Sequence, residues 1–187
     1  MDFEETGIAG CVLVRPRSAT DERGRFVKTM HQGAFERAGL RTDWREEFLT
    51  RSRRGVVRGM HFQTPPAHHA KLVYCLDGQV LDVVVDLRAG SPSEAVVFST
   101  ILDEADGAGI YIPSGCAHGF LSRTDGSLML YKVTSLHSPE RDAGVAWDGI
   151  GFDWPVTDPI VSERDRRHPP LSTFVSPFAF DPAAPAR

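Results

Sequence analysis

The sequence lacks the features that define several large classes of protein. It contains no run of roughly 18 apolar residues, the length that a membrane-spanning helix needs, and its first residues have neither the basic nor the apolar segment of an export signal. Its three cysteines, Cys11, Cys75 and Cys116, lie far apart, so neither a disulfide framework nor a zinc knuckle is indicated. We therefore expect a cytoplasmic protein without a membrane partner.

An excess of positive charge is absent too. Lysine and arginine number 21 against 25 acidic residues, which gives a net charge of -4. We expect no nucleic-acid partner, although local arginines can hold one diphosphate. A chain of 187 residues with 41% hydrophobic residues can close one sizeable core. We predict a single domain over residues 1–180, followed by a Pro/Ala-rich tail over residues 181–187.

Short β-rich segments recur between turn residues, which is typical of an all-β sandwich or barrel. Residues 72–86 predict a hairpin, because Asp77-Gly78 is a favoured tight-turn dipeptide between two apolar runs. A helical pattern predicts one short helix over residues 33–40. The predicted strands cover residues 11–15, 25–30, 55–63, 71–76, 79–87, 95–102, 110–112, 118–122 and 127–135.

Two segments are similar to the motifs of cupin barrels. Residues 107–118 have the spacing of the second motif, in which a Pro-x-Gly turn leads into a strand whose histidine, here His118, faces the barrel interior. The first motif is incomplete: Gln63 stands where a second histidine ligand would be, and Lys71 replaces a glutamate. A protonated lysine repels a divalent cation and offers no lone pair. We therefore predict an all-β, cupin-type jelly-roll barrel with short flanking helices and without a metal or other cofactor.

Several ordered segments together resemble the dTDP-4-dehydrorhamnose 3,5-epimerase family. The resemblance extends from about Asp21 to Leu171, nearly the whole chain. It implies an isomerase that inverts C3, C5 or both on a nucleoside-diphosphate-4-keto-6-deoxyhexose, by removing a proton next to the ketone. The segments that carry the resemblance are residues 58–63, 71–73, 82–92, 112–120, 131–134 and 162–165.

The resemblance implies a role for each chemically active residue. His61 is the base that abstracts the proton, and Asp165 hydrogen-bonds its imidazole, which fixes the tautomer and raises the basicity. Tyr131 is the acid on the opposite face of the sugar, because inversion requires a proton to leave one face and return to the other. Lys71 lies next to the ketone oxygen, and His118 helps to hold the oxyanion.

Other positions match substrate-binding residues of the family. Arg23 and Arg58 match positions that bind the diphosphate, where a guanidinium can pair with phosphate oxygens. Phe26 and Gln63 are the further substrate-binding candidates. Arg25, Arg53 and Arg54 are interpreted instead as part of a solvated charged face.

The residues that would recognise the nucleobase depart from the family pattern. Lys28 stands where the family has a glutamate that reads thymine, Glu46 and Phe48 replace Gln-x-Asn, and His137 replaces a stacking tyrosine. Thymine presents an N–H that a carboxylate accepts, whereas cytosine presents an acceptor nitrogen that an ammonium can address. Two hypotheses stay open: the nucleotide is dTDP, bound mainly through its phosphates, or it is CDP or GDP.

Two other enzyme classes compete with the epimerase hypothesis. A sugar 3,4-ketoisomerase would shuttle protons on the same kind of substrate but move the carbonyl. A metal-dependent cupin would use His61, His118 and either His68 or His69 as ligands. The resemblance also implies a homodimer, in which the N-terminal strand of one subunit contributes residues to the site of its neighbour. Which carbon is inverted does not follow from the sequence.

Overall fold

The computed structural model of the protein describes residues 1–182. It contains short strands, one short α-helix, α1 (Gln32–Arg37), and 3-10 turns at Trp147–Gly149, Asp165–Arg167 and Leu171–Thr173. The strands are β1 (Asp2–Glu5), β2 (Val12–Arg15), β3 (Ser18–Asp21), β4 (Gly24–Val27), β5 (Glu46–Ser52), β6 (Val57–Gln63), β7 (Lys71–Asp77), β8 (Gln79–Asp86), β9 (Val97–Asp103), β10 (Gly109–Ile112), β11 (Cys116–Ser122), β12 (Ser127–Val133) and β13 (Asp142–Gly144).

The strands form two antiparallel sheets that enclose the interior. One sheet has the order β1-β2-β10-β7-β12-β5, and the other has the order β13-β6-β11-β8-β9. Strands β3 and β4 pair only with each other and form a separate hairpin. This arrangement confirms the predicted all-β fold of the cupin jelly-roll type.

The interior between the sheets follows from the two-residue period of the strands. On β12, Met129 and Tyr131 face inward and pack in one cluster with Val84 of β8 and Phe120 of β11. The same inward faces also carry polar residues. These are Lys71 at the start of β7, Asp82 on β8 and His118 on β11, and all three are buried.

The outer faces of both sheets are covered as well. Residues that point outward from β6 and β8 pack against Ile150 and Phe178 from the C-terminal segment. Phe35 of α1 packs against Leu72 and Tyr74 of β7 on the other side of the molecule. The central strands are therefore apolar on both faces, since each face meets another layer.

The C-terminal segment stays packed to the edge of the predicted domain. Ala179 bridges to Ala89, and the backbone N–H of Phe180 donates to the carbonyl of Ala89. The division into a domain over residues 1–180 and a tail over residues 181–187 stays a prediction. Residues 183–187 of that tail lie outside the described residues.

The predicted hairpin at Asp77-Gly78 is wrong. Strand β7 pairs with β10 and β12, whereas β8 pairs with β11 and β9, so the turn carries the chain from one sheet to the other. Gly78 has a φ of +77°, and a Cβ there would lie 2.3 Å from Thr124 Oγ1. The dipeptide correctly marked a tight turn, but apolar runs buried on both faces carry no alternation that identifies their pairing partners.

The other predicted elements lie close to the observed ones. The predicted strands correspond to β2, β4 and β6 to β12, although β4 ends at Val27, before the predicted position 30. The predicted helix over residues 33–40 corresponds to α1, which is shorter. Strands β1, β3, β5 and β13 were not predicted, because they are short or, like β5, rich in charged and exposed residues.

Two further observations bear on the expected environment of the protein. Among residues 1–182, no helix is long and apolar enough to cross a membrane. Cys11, Cys75 and Cys116 are all buried free thiols. The cytoplasmic location stays a prediction.

A bulge in β6 determines which of its side chains face the interior. His61 pairs with His118 and Arg58 pairs with Phe120, so three steps along β6 match two steps along β11. In a regular strand, residues three apart point to opposite faces. The extra residue brings both Arg58 and His61 to one side. Gly59, within the bulge, has a φ of +143° and would place a Cβ 2.6 Å from the Cα of Gly119.

We predict that Gly59→Ala destabilises the fold more than Gly55→Ala does. Gly55 also has a positive φ, +79°, but a Cβ there meets nothing within 4 Å. Backbone strain alone should cost about 1–2 kcal/mol at either position. The collision with Gly119 should add about 1–3 kcal/mol at position 59 only. Urea unfolding of both variants measures the difference, and equal losses would contradict the close approach.

Candidate active site

A cavity of about 340 Å³ opens between the two sheets. It contains four of the residues predicted to act on the substrate: His61 from β6, Lys71 from β7, His118 from β11 and Tyr131 from β12. Its walls also include Glu46, Phe48, Arg58, Gln63 and His137. Residues far apart in the sequence therefore meet in one cavity, as expected from the sequence.

His61 is paired with Asp165, which comes from the 3-10 turn near the C-terminus. His61 Nε2 lies 2.8 Å from Asp165 Oδ1, and the backbone N–H of Gly59 donates to Asp165 Oδ2 at 3.2 Å. Facing a carboxylate, Nε2 carries the proton, which leaves Nδ1 as the basic nitrogen of the neutral ring. Asp165 is therefore placed as predicted, behind the ring rather than in the cavity wall.

The electrostatic surroundings keep His61 neutral. Burial lowers the pKa of His61, and the hydrogen bond and negative charge of Asp165 oppose this effect without cancelling it. Burial acts on Asp165 in the opposite sense, but the hydrogen bonds from His61 and Gly59 outweigh it, so the pKa of Asp165 is lowered. Asp165 thus raises the basicity of His61 as expected, within a site where burial has the larger influence.

Lys71 supplies the cation of the cavity. Its side chain is buried, and Nζ donates to the backbone carbonyl of His61 at 3.0 Å. Burial lowers the pKa of Lys71 to about 8, because desolvation disfavours the charged form. At neutral pH the ammonium remains the major form, within a site that excludes much of the solvent.

A second histidine–carboxylate pair was not predicted. His118 Nε2 lies 2.8 Å from Asp82 Oδ2, and both side chains are almost fully buried. Asp82 Oδ1 has no hydrogen-bond partner among the described residues. The signal was present in the sequence, since Asp82 interrupts an otherwise apolar strand, but its partner comes from a strand 36 residues further along the chain. His118 is thus oriented by Asp82 much as His61 is by Asp165.

Tyr131 lies on the sheet opposite to His61. Its ring stacks on Phe48, its cross-strand partner on β5, with centroids 4.8 Å apart and planes at 10°. Burial raises the pKa of Tyr131, so the phenol keeps its proton. Phe48 thus covers one face of the Tyr131 ring at the cavity mouth, where Phe48 itself remains partly exposed.

The cavity mouth carries two arginines. Arg58 Nε donates to Ser52 Oγ at 3.0 Å, and Arg164, which was not predicted to belong to the site, pairs with Asp142 at 2.7 Å. Both guanidinium groups line the cavity, so an anion that enters meets two arginines.

Other predicted substrate-binding residues are engaged with the protein itself. Gln63 Nε2 donates to the carbonyls of Ala67 and Leu136 at 2.8 and 3.1 Å, and Gln63 Oε1 accepts from the N–H of Ser138 at 2.6 Å. The N–H of His137 donates to Glu46 Oε2 at 2.8 Å. Gln63 therefore holds the wall of the cavity in place through the residues on either side of His137. The hydrogen bond between His137 and Glu46 links these two residues at the mouth.

Three predicted substrate-binding residues do not reach this cavity. Arg23, Phe26 and Lys28 lie on or beside the β3–β4 hairpin, and Phe26 is 64% exposed. Arg23 pairs with Asp21 at 2.6 Å on the surface. Arg25 is exposed, and its guanidinium donates to the backbone carbonyls of residues 104, 105 and 106, which ties the hairpin to the loop after β9.

The ligand set of the metal-dependent alternative is not brought together. Among residues 1–182, the one group of three or more potential metal ligands contains His61, Asp165 and His168. His68 is exposed and packs near Phe178. His69 lies in the cavity wall, where its Nδ1 is 3.0 Å from Ser135 Oγ and burial lowers its pKa to about 3.

The jelly roll and the proton-transfer groups inside it define an isomerase of the cupin type. The family model described as dTDP-4-dehydrorhamnose 3,5-epimerase matches residues 5–173. A relative of the same name from Methanothermobacter thermautotrophicus is 39% identical over 174 residues, which cover 90% of this chain and 94% of the relative. The chain therefore belongs to the dTDP-4-dehydrorhamnose 3,5-epimerase family and is a nucleotide-sugar epimerase.

Solved structures agree with this assignment. The enzyme of that name from Bacillus anthracis, with TDP and PPi bound, is 32% identical, with a TM-score of 0.88 over 90% of this chain and 98% of that one. A 3'-monoepimerase from Streptomyces bikiniensis, in complex with dTDP-quinovose, is 30% identical, with a TM-score of 0.85 over 91% and 88% of the two chains. The names of these two enzymes therefore differ in the carbons that are inverted: the first is a 3,5-epimerase and the second is a 3'-monoepimerase.

We predict that Asp165→Asn lowers the pKa of His61 further. The substitution removes the negative charge that stabilises the imidazolium and leaves only a neutral amide oxygen as acceptor, so the neutral ring is favoured. An NMR titration of the His61 ring measures the direction. Asp43→Asn, which removes a surface carboxylate paired with Arg41, is the matched control and should leave the titration unchanged. A rise for Asp165→Asn would contradict the assigned pair.

Proposed function

We propose that this protein inverts C3 and C5 of a dTDP-4-keto-6-deoxyhexose by proton transfer, without a cofactor. One observation carries the proposal: His61 and Tyr131 face the same cavity from opposite sheets. A sugar ring bound between the sheets would turn one face to each residue. Inversion needs that arrangement, because the proton that leaves one face must be replaced from the other.

The reaction can be written with the groups in the cavity. His61 Nδ1 takes the proton from the carbon next to the C4 ketone, the electrons of the C–H bond form a C=C bond, and the ketone oxygen becomes an enolate. The Lys71 ammonium stabilises that oxygen, while Asp165 stabilises the imidazolium. Tyr131 then donates its phenolic proton to the opposite face, and the ketone re-forms with inverted configuration. Exchange with solvent restores both residues.

The family supports dTDP as the nucleotide. The Bacillus anthracis relative carries TDP and pyrophosphate, and Arg58 and Arg164 at the cavity mouth suit a diphosphate. Lys28, Glu46, Phe48 and His137 still depart from the family pattern. CDP and GDP sugars are therefore the alternatives that an experiment must include, and both carbons are proposed on the strength of the family.

A homodimer would complete the site. Arg23 and Lys28 are exposed on a hairpin that does not reach the cavity of its own chain, and Phe26 exposes a large apolar ring beside them. Arg25 holds the hairpin in one orientation through backbone carbonyls. We place these residues at the mouth of the second subunit's cavity.

We predict that deuterium from solvent enters C3 and C5 of the dTDP substrate. The 4-keto-6-deoxyhexoses of dTDP, CDP and GDP are supplied separately in deuterated water, and NMR follows the label and the product. Faster turnover of the CDP or GDP sugar would overturn the proposal that dTDP is the nucleotide. Label at one carbon only would show a monoepimerase, and a carbonyl that moves from C4 to C3 would show a ketoisomerase.

Two variants separate the proposed base from the proposed acid. His61→Ala should lower the rate of deuterium exchange by about 10²–10⁴-fold, the contribution of a general base. Tyr131→Phe should retain exchange on the His61 face but yield little inverted product. Arg53→Ala, at an exposed residue outside the cavity, is the control. An active His61→Ala protein would contradict the base assignment.

We predict that two inactive variants restore activity when their subunits are mixed. Arg23→Glu damages the hairpin, and His61→Ala damages the cavity. A heterodimer would contain one site built from an intact cavity and an intact hairpin. Mixing after mild dissociation should recover roughly a quarter of the wild-type rate, since half of the dimers are mixed and each has one complete site. No recovery despite proven subunit exchange would contradict the shared site.

A further inference from the structure

His168 lies against the His61–Asp165 pair and has no role in the reaction described above. Its ring meets the His61 ring edge-on, with centroids 6.0 Å apart and planes at 75°. Its Nε2 lies 3.8 Å from Asp165 Oδ1, the same oxygen that His61 Nε2 contacts at 2.8 Å. Two imidazoles thus converge on one carboxylate oxygen.

The position of His168 is built into the fold. Gly144 on β13 pairs with His61, and a Cβ at Gly144 would lie 2.6 Å from His168 Nε2. Only glycine leaves room there for the second ring. Immediately after His168, the carbonyl of Pro169 accepts a hydrogen bond from the N–H of Ala146 at 2.8 Å, which ties this segment to the end of β13.

The Nε2 atom of His168 is buried without a hydrogen-bond partner among the described residues. Leaving such a group unsatisfied costs about 1–3 kcal/mol, so an apolar residue would be more stable in the same space. Because Nε2 faces a carboxylate oxygen, its N–H form is favoured over a lone pair. At 3.8 Å the contact is longer than a hydrogen bond, but the N–H still competes with His61 for the same charge.

We propose that His168 is a positioning residue for the proposed base: its ring keeps His61 against Asp165, and its Nε2–H shares Asp165 Oδ1 with His61. This inference rests on the proposed function for its catalytic meaning. His168 is not among the residues that line the cavity. It acts on how firmly His61 is held and on how readily His61 takes a proton.

The charges around the two rings favour at most one positively charged imidazole. Burial lowers the pKa of His168, and the neighbouring His61 lowers it further, so His168 stays neutral when His61 becomes an imidazolium. Lys71 from β7 and Arg164 before the 3-10 turn also disfavour a charge on His61. Asp142 on β13 acts on His168 in the opposite sense.

Three substitutions at position 168 separate the two contributions. Phe retains a ring without the N–H, Gln retains an N–H without the ring, and Ala has neither. For His168→Phe we expect the His61 titration to move to higher pH, because Asp165 then serves His61 alone. For His168→Gln we expect the wild-type midpoint. For His168→Ala we expect kcat to fall by about 10–100-fold with KM unchanged, since the base is less firmly placed.

NMR titration of the His61 ring comes first, because it does not depend on activity, and kcat and KM against pH follow. The acidic limb of kcat/KM should move with the His61 midpoint. Circular dichroism and urea unfolding confirm that each variant folds. Wild-type titration and wild-type kcat in both the Phe and Ala variants would overturn the role of His168. A moved midpoint with unchanged activity would support the sharing of Asp165 Oδ1 by the two rings and contradict His61 as the base.

Discussion

The close approach of Gly59 and Gly119 is the constraint on which the site depends. These two residues lie on neighbouring strands, and their backbones come so near that a single Cβ on either would collide with the other strand. The bulge that this contact permits turns Arg58 and His61 to the same side of β6. Without the bulge, the alternation of side chains along a regular strand would turn either Arg58 or His61 away from the cavity. Arg58 and His61 therefore share a cavity because residues 59 and 119 are both glycines, which have no side chain.

Buried polar groups in this molecule fall into two kinds. Asp86 is held by Arg88, Ser91 and Ser93, and this network satisfies both carboxylate oxygens. Beside the histidines that line the cavity, in contrast, Asp82 and His168 each keep a buried polar atom without a hydrogen-bond partner among the described residues. Burial of unsatisfied groups is unfavourable, and folds retain it mainly where a site needs it. The difference separates Asp86 from Asp82, the carboxylate that orients His118.

The sequence predicted the layout of the fold and the members of the cavity better than it predicted pairing. The resemblance to the family assigned His61, Lys71, His118 and Tyr131 to one site, and the predicted strands placed them on separate strands. The partner of a strand depends on contacts distant in sequence, so the turn at Gly78 was assigned to a hairpin although it joins two sheets. Asp82 was missed for the same reason, because its meaning comes from His118 on the neighbouring strand. His168 carries no signal of its own, since its place depends on the space left by Gly144.

The residues that depart from the family pattern share a location. Lys28 lies beside the exposed hairpin, while Glu46, Phe48 and His137 occupy the edge strand β5 and the cavity mouth. Among the described residues, no hydrogen bond or ion pair joins any of them to Asp165, Lys71 or Asp82, which lie deeper between the sheets. A change at the rim therefore leaves the hydrogen bonds of His61 and His118 intact. The proposed recognition of the nucleobase is thus separate from the hydrogen bonds of the proposed base, whereas it meets the proposed acid directly, since Phe48 stacks on Tyr131.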